Sequence, residues 1–310
     1  MFKAGLIFAG CLLSAQLIWA QGRQSANSNP LAGTIDFHCH AGPDVSGRSL
    51  SDLDLARLAK KDGMRGIVLK NHYTMTADRA ETAMKEVGGI EVFGGIALNR
   101  SVGGLNAEAI RRMAAMEGHR GKVVWLPTVD AENNFEHGPG ARKFVSVVKD
   151  GKPVPEMAEV FQAIAKNDRI LETGHSTPAE SLILIQAARY AGIGKIIVTH
   201  AQLLGATVQQ MKQMADMGAY IEFCWQSYLA KTGNKNDGDK KAVAECVKVI
   251  QAIGADRCII DSDLGQPGNP LHPDGMRAFI SSLKANGMSE HDIDLIARKN
   301  PAKLLGLPTE

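Results

Sequence analysis

The chain alternates short apolar runs with longer amphipathic stretches after residue 33, and this alternation most constrains its fold. Short apolar runs predict buried strands, and an apolar period near 3.6 residues predicts helices. The predicted strands are 34–37, 66–69, 91–97, 123–127, 170–173, 195–199, 219–223 and 258–261, and the predicted helices are 53–61, 76–87, 106–117, 155–166, 178–190, 207–217, 240–253 and about 273–285. Strand–helix alternation specifies a parallel sheet, and eight such units predict an α/β protein with a (β/α)8 TIM barrel. An open doubly wound sheet is disfavoured, because no Gly-x-Gly-x-x-Gly motif begins the first unit.

The N-terminal segment differs from the rest of the chain. Lys3 precedes a long apolar run, and Ala20 offers a small residue for cleavage. This pattern is typical of a secretory signal peptide over residues 1–20, since the run is shorter than the ~20 residues of a membrane span. We therefore expect a periplasmic or secreted protein, with lipidation at Cys11 as the alternative.

The remaining residues are predicted to form one domain. Residues 21–32 are polar and predict a linker, which leaves 33–310 for the barrel. An insertion near 133–155 has turn residues around an apolar run, which predicts a β-hairpin flap over the barrel mouth.

Charge and cysteine content limit the classes of partner. The 35 basic and 33 acidic residues give a formal charge of +2, so no global field attracts nucleic acid or an anionic membrane. The cysteines outside the leader form no Cys-x-x-Cys pair, which favours buried free thiols over a disulfide framework. We expect a small-molecule substrate, no nucleic acid and no stable membrane span; a homo-oligomer is left open.

Two histidines follow the first predicted strand. His38 and His40 are two residues apart, and such residues point to the same side of a strand. Both imidazoles can therefore bind one metal ion, for which histidine is a common ligand. A His-x-His pair alone is weak evidence, because nearby histidines are more often exposed or hydrogen-bonded.

Other polar residues follow the ends of other predicted strands. His175 and His200 follow the fifth and sixth strands, and Asp263 follows the eighth. Lys70 and His72 follow the second strand, two residues apart. Because the carboxyl ends of barrel strands meet at one mouth, these side chains are expected to converge there.

This order of residues resembles the amidohydrolase superfamily, which carries two histidines on strand one, one each on strands five and six, and an aspartate on strand eight. The segment 300–307, Asn-Pro-Ala-Lys-Leu-Leu-Gly-Leu, and the Ile-Ile-Asp-Ser-Asp run at 259–263 are similar to motifs of its amidohydrolase-related branch. An Ile-Val-Leu-Lys-Asn-His motif at 67–72 is similar to that of an uncharacterised bacterial subgroup. The resemblance covers about residues 33–308.

The resemblance implies a role for each of these residues. His38, His40 and His175 would bind a divalent metal, expected to be zinc. His200 would bind a second ion or polarise the scissile group. Asp263 would be both a metal ligand and the general base.

Two further aspartates are expected to orient histidines. Asp261 lies two residues before Asp263 and further from the end of the strand. Asp36 shares a face with His38 and His40 in regular strand geometry and lies deeper.

Lys70 and His72 are expected to bind the substrate. A lysine in the mouth needs an anionic partner, because burying an unpaired charge is costly. That partner would be a substrate carboxylate; a carboxylated lysine that bridges two metals and a structural ion pair are alternatives. Binuclear members of the superfamily carry a lysine or glutamate at the end of strand four, where this chain has only Asp130 and Glu132. The number of metal ions, one or two, is therefore left open.

These features predict an exported, metal-dependent hydrolase of a small amide, lactone or ester that uses metal-activated water. A metal-dependent decarboxylase of a small carboxylic acid is one alternative, since Lys70 could hold a carboxylate. A non-catalytic periplasmic binding barrel is another, although a pure binder does not need a base such as Asp263.

Overall fold

A computed structural model describes residues 29–135, 143–231 and 237–309. The predicted signal peptide, the lipidation site at Cys11, most of the linker and residues 136–142 of the predicted flap lie outside the described residues. The strands in chain order are β1 (Ile35–His40), β2 (Gly66–Lys70), β3 (Glu91–Ala97), β4 (Gly121–Trp125), β5 (Val148–Lys149), β6 (Lys152–Pro153), β7 (Ile170–Glu172), β8 (Ile196–Val198), β9 (Tyr220–Cys224) and β10 (Cys258–Asp261).

Helices follow the strands of the main sheet along the chain. They are α1 (Asp52–Lys61), α2 (Ala77–Val87), α3 (Ala107–Ala115), α4 (Met157–Lys166), α5 (Pro178–Tyr190), α6 (Val208–Asp216), α7 (Lys240–Ile253), α8 (His272–Ala285), α9 (Glu290–Asp294) and α10 (Asn300–Leu305). Local sequence fixes where several begin: Thr177 and Glu180 form a reciprocal capping box at the start of α5. No helix among the described residues is long and apolar enough to cross a membrane.

Eight parallel strands form the main sheet, in the order β1-β2-β3-β4-β7-β8-β9-β10. The segment after β10 returns to β1, because the Asp263 N–H donates to the His38 carbonyl at 2.9 Å and the His40 N–H donates to the Leu264 carbonyl at 2.9 Å. The prediction of a (β/α)8 TIM barrel is therefore confirmed. The closure also seats Asp263 beside the end of β1.

The core has an inner and an outer layer. The inner layer consists of side chains from every strand of the main sheet and from α10. The outer layer lies between the strands and the helices, and it includes Cys39. All four cysteines of the described residues are buried and free, as predicted: Cys39, Cys224, Cys246 and Cys258.

A β-bulge in β1 decides which way its histidines point. Ile35 and Phe37 belong to the inner layer, whereas Cys39 belongs to the outer layer although it is two residues further on. The pairing of β1 with β2 shifts register between Asp36 and Cys39. An extra residue of this kind re-aims the side chains that follow it. His38 consequently lies on the inner side, with its ring 6.5 Å from that of Trp125. The expectation that Asp36 lies on the same face as His38 is therefore wrong, because the bulge lies between the two residues.

The packed domain begins before residue 33. Leu31 is fully buried, and the Arg298 side chain donates hydrogen bonds to the carbonyls of Ala32 and Pro30 at 2.8 and 2.9 Å. Residues 29–32, predicted as the end of a linker, therefore pack against the barrel because Leu31 supplies an apolar anchor.

The insertion after β4 contains a short antiparallel hairpin of β5 and β6. Asp150 and Gly151 form its turn with φ values of 50° and 72°. Positive φ at both central residues is what a type I′ turn requires. The hairpin contacts α5.

Candidate metal centre and active site

The predicted site residues meet at the carboxyl ends of the barrel strands. His38, His40, Lys70, His200 and Asp263 are buried there. His72 and His175 are partly buried and line the same mouth. Residues from β1, β2, β7, β8 and β10 or the turns that follow them are thus brought together, as the barrel topology predicted.

Three ligand atoms converge at the end of β1. Nε2 of His38 and Nε2 of His40 each lie 3.1 Å from Oδ1 of Asp263. Two ligands of one zinc ion, each 2.0–2.1 Å from it in tetrahedral geometry, are about 3.4 Å apart, so this spacing suits a shared ion. Nε2 of His38 is buried and has no hydrogen-bond partner among the described residues, despite its short distance to the carboxylate. A divalent cation between these atoms would bind both the unpaired Nε2 of His38 and the carboxylate of Asp263.

The two imidazoles are uncharged in this environment. Burial lowers the pKa of His38 and the pKa of His40 well below the ordinary value, and the charge of Lys70 lowers both further. A neutral imidazole keeps the lone pair that a metal ligand needs. The electrostatics of the site therefore agree with its geometry.

Glu222 on β9 orients two of the histidines. Its Oε1 lies 3.2 Å from Nδ1 of His38, and its Oε2 accepts the backbone N–H of His200 at 2.9 Å. With the imidazole proton assigned to Nδ1 of His38, Nε2 presents its lone pair toward Asp263, which is the arrangement of carboxylate–histidine–metal sites. The sequence interpretation gave Glu222 no role, although one acidic residue inside the apolar strand β9 is a signal for one.

His200 lies beside this cluster. Its Nε2 is 3.7 Å from Oδ2 of Asp263, and its ring stacks on that of His38 with centroids 4.9 Å apart. Its Nδ1 is 3.0 Å from Sγ of Cys224. Burial lowers the pKa of His200 to about 3. His38, His200, Glu222 and Cys224 form a second group whose ligand-type atoms lie within 4.8 Å of one another.

Two residues of the site have left-handed backbone conformations. His200 has a φ of 47° and Asp263 has a φ of 50°. Such values are uncommon outside glycine and persist only where surrounding contacts hold them, often at functional sites. Here the hydrogen bonds of the His200 N–H to Glu222 and of the Asp263 N–H to His38 supply those contacts.

His175 lies in the mouth but outside both groups of ligand atoms. Its ring centroid is 5.6 Å from that of His200, and its Nδ1 is 3.2 Å from the side-chain nitrogen of Asn134. Burial lowers the pKa of His175 to about 3. Its assignment as a metal ligand stays a prediction.

Lys70 is a buried cation without a counter-ion. Its Nζ has no hydrogen-bond partner among the described residues, and it lies 5.2 Å from the centroid of the Trp125 ring. The backbone of Lys70 pairs with that of His40 across the sheet, and the charge of Lys70 acts on both His38 and His40. No carboxylate of the described residues forms an ion pair with Nζ within 4.0 Å, although the charge of Lys70 partly offsets the burial that raises the pKa of Glu172.

Buried acids lie beneath the mouth, at the ends of β7 and β10. Burial, together with the charge of Glu222, raises the pKa of Asp261 and the pKa of Glu172 well above the ordinary values. Glu172 accepts the hydroxyl of Thr199 at 2.9 Å. Both shifts favour the protonated form of these acids. Asp263, and not Asp261, is the aspartate whose carboxylate oxygens face the histidines.

The acids that follow β4 are engaged elsewhere. Oδ2 of Asp130 accepts the backbone N–H of Arg100 at 2.9 Å. Oε2 of Glu132 accepts the Ser146 hydroxyl at 2.6 Å. Neither carboxylate belongs to the two groups of ligand atoms.

The fold and this cluster together define a (β/α)8 barrel with a histidine–aspartate site that could hold a metal at its mouth. The chain belongs to the family of unknown function DUF6282, whose model matches residues 33–222. No curated protein sequence matches the chain.

Solved structures of similar fold include several hydrolases. An amidohydrolase from Pseudomonas aeruginosa has a TM-score of 0.60 and 12% identity over 89% of this chain and 96% of that chain. An organophosphorus hydrolase from Deinococcus radiodurans has a TM-score of 0.59 and 16% identity over 97% of this chain and 99% of that chain. A mutant of a PTE-like lactonase from the same organism has a TM-score of 0.60 and 15% identity over 90% and 98%. The resemblance to the amidohydrolase superfamily is confirmed at the level of the fold.

Proposed function

We propose that this protein is a metal-dependent hydrolase of a small lactone, ester or amide. The observation that carries the proposal is the convergence of Nε2 of His38 and Nε2 of His40 on one oxygen of Asp263, 3.1 Å from each. The names of the structural neighbours, an amidohydrolase, an organophosphorus hydrolase and a lactonase, agree with this class of reaction.

The proposed metal ligands are His38, His40, His175 and Asp263, with His200 adjacent for a second ion. A divalent ion bound there supplies Lewis acidity, which polarises a carbonyl and lowers the pKa of water toward ~7. Zinc is proposed because it favours neutral imidazole and carboxylate ligands. The number of ions is one or two.

Asp263 is the proposed general base. Its side chain is 10% exposed, so it is the acid of the cluster that a water molecule can reach. It would accept a proton from the attacking water and deliver it to the leaving group. His200 faces its second oxygen and would polarise the scissile group or bind a second ion.

Lys70 and His72 are the proposed contacts to the substrate. Lys70 has no counter-ion among the described residues, which supports a substrate that carries a carboxylate. The same unpaired cation favours one second candidate, decarboxylation of a small carboxylic acid. Release of carbon dioxide rather than an alcohol, amine or hydroxy acid would separate the two reactions.

Export to the periplasm or beyond is proposed from the predicted signal peptide over residues 1–20. N-terminal sequencing of protein from the cell envelope tests it: a chain that starts near residue 21 supports the proposal, and recovery in the cytoplasm with Met1 intact contradicts it.

Metal-loaded and metal-stripped protein, compared over a panel of lactones, esters and amides, test the reaction. We expect turnover that returns when zinc is added back and that is lost in Asp263→Asn. Turnover that survives complete metal removal would refute the proposal.

A further inference from the structure

We propose that His72 is a catalytic residue whose Nε2–H donates a hydrogen bond to the carbonyl oxygen of the substrate, and that Asn99 and Thr128 hold its ring in this tautomer. The proposal rests on the hydrolytic function proposed above. It assigns His72 a defined chemical task and excludes it from the metal ligands.

Asn99 sets the direction of the network. Its side chain is fully buried. Its Oδ1 accepts the backbone N–H groups of Thr128 and Asp130, at 2.8 and 3.2 Å. Its amide nitrogen donates to the carbonyl of His72 at 2.8 Å and to Oγ1 of Thr128 at 2.7 Å. A flipped amide would oppose two N–H donors with its own NH2, so the orientation is determined.

The hydroxyl of Thr128 transmits that direction to His72. The amide of Asn99 donates to Oγ1 and so cannot accept the hydroxyl proton of Thr128. That proton therefore needs an acceptor elsewhere. Nδ1 of His72, 2.9 Å away, is the one that the described residues offer. Thr128 is fully buried, and a buried hydroxyl proton without a partner is unfavourable. The Thr128 O–H therefore donates to Nδ1.

The tautomer of His72 follows from this bond. A neutral imidazole that accepts at Nδ1 carries its proton on Nε2. A metal-binding histidine has the opposite pattern, since it donates from one nitrogen to an acceptor and offers the other lone pair to the metal. His38 shows that pattern with Glu222, and His72 does not.

The ring of His72 is placed to use this proton in the reaction. Its centroid lies 4.8 Å from that of His40 and 6.4 Å from that of His175. Nε2 of His72 has no partner among the described residues. When water adds to a carbonyl, negative charge develops on the carbonyl oxygen, and a donor already in position stabilises it. No proton is transferred from His72 in this step.

Nitrogen-15 NMR of the histidine rings tests the tautomer without any substrate. On zinc-loaded protein, with the His72 signals assigned by their absence in His72→Gln, we expect a protonated Nε2 and an unprotonated Nδ1. A protonated Nδ1, or an Nε2 shifted by zinc, would overturn the proposal. Because this readout needs no turnover, it stays separate from the test of hydrolysis.

Variants of Thr128 test the relay, which is the chain of hydrogen bonds from Asn99 through the Thr128 hydroxyl to Nδ1 of His72. Thr128→Val removes the hydroxyl at nearly constant shape and should abolish the single tautomer, whereas Thr128→Ser should restore it. Thr34→Val is the matched control, because Thr34 is equally buried but precedes β1 at the opposite end of the barrel, where its hydroxyl donates to Leu31. A single Nε2–H tautomer retained in Thr128→Val would refute the role of Thr128.

Kinetics on a substrate from the screen complete the test. His72→Gln should lower kcat by ~10²–10³-fold with little change in KM, as expected for loss of one oxyanion donor. An unchanged kcat would refute the catalytic role, and a variant that loses zinc would show His72 to be a ligand instead. If the tautomer is found but no hydrolysis occurs, the proposed function fails and the relay stands.

Discussion

Glu222→Gln is the substitution that best separates a metal centre from a cluster of buried histidines. The carboxylate of Glu222 faces Nδ1 of His38 and accepts the N–H of His200, so both oxygens act as acceptors. Glutamine has one oxygen and one NH2, and the NH2 must oppose one of these donors. If it faces Nδ1, the proton of His38 moves to Nε2 and blocks the lone pair aimed at Asp263.

The expected magnitude follows from this geometry. Loss of a partner that orients a metal-binding histidine lowers metal affinity by roughly 10–100-fold, which is about 1.4–2.7 kcal/mol of binding free energy. The zinc affinity of purified protein is measured by competition with a chromophoric chelator at pH 7.5, and circular dichroism checks that the barrel remains folded.

Glu172→Gln is the matched control. Glu172 is also a buried glutamate on a neighbouring part of the barrel, but among the described residues its carboxyl is hydrogen-bonded to Thr199 and to no histidine. Burial raises the pKa of Glu172 well above the ordinary value, which favours its protonated form, and a neutral amide resembles that form. Zinc affinity should change little. Wild-type affinity in Glu222→Gln, or an equal loss in both variants, would refute the reasoning.

Three further predictions concern single side chains. Asp263→Asn should lower kcat by ~10²–10⁴-fold with little change in KM, as general-base loss does, whereas Asp261→Asn should lower it by at most roughly 10–100-fold; the reverse order on a substrate from the screen would show the assignment to be wrong. Asp36→Asn should raise the free energy of unfolding at pH 8, because burial raises the pKa of Asp36 from 3.8 to about 6. The folded state binds this proton more tightly, so the contribution of Asp36 to stability is full below pH 3.8 and is lost as the pH rises through 6. The shift of the Asp36 pKa from 3.8 to about 6 corresponds to roughly 3 kcal/mol of unfolding free energy that is lost by pH 8. Urea titrations at pH 4 and pH 8 that show the same effect of the substitution would contradict this prediction. Leu31→Ala should lower the free energy of unfolding by about 2–5 kcal/mol if residues 29–32 belong to the barrel. An unchanged urea midpoint would show that these residues form a linker and not part of the packed domain.

The strand–helix pattern was sufficient to predict the barrel, because each unit is local and its ends carry recognisable signals. The predicted α5 and α7 agree with the observed helices residue for residue. Proline and a capping box at the start of α5 are signals that depend on no distant contact.

The direction of the β1 histidines could not be predicted so simply. Regular alternation from Ile35 and Phe37 would have turned Cys39 inward and both histidines outward. The bulge between Asp36 and Cys39 reverses this, and it depends on pairing with β2 and with the segment after β10. Such pairing joins residues that are distant in sequence.

The roles of the residues that support the site could not be predicted, for a related reason. Glu222 acts on His38 across 184 positions of the chain, and Thr128 acts on His72 across 56. Residue type and spacing identify ligands at strand ends, but hydrogen bonds between strands decide tautomers. The positive φ of His200 and of Asp263 likewise depends on those bonds.

The most direct test of a metal centre at the end of β1 is the zinc content of the double variant His38→Ala/His40→Ala beside that of the wild type. Both proteins are stripped with chelator, reloaded with zinc, freed of excess ion and analysed by elemental mass spectrometry, with circular dichroism as the check on folding. We expect at least one tightly bound zinc per wild-type chain and its loss from a double variant that keeps the spectrum of a folded barrel. Wild-type zinc content in the double variant, or no zinc retained by the wild type, would contradict the metal centre.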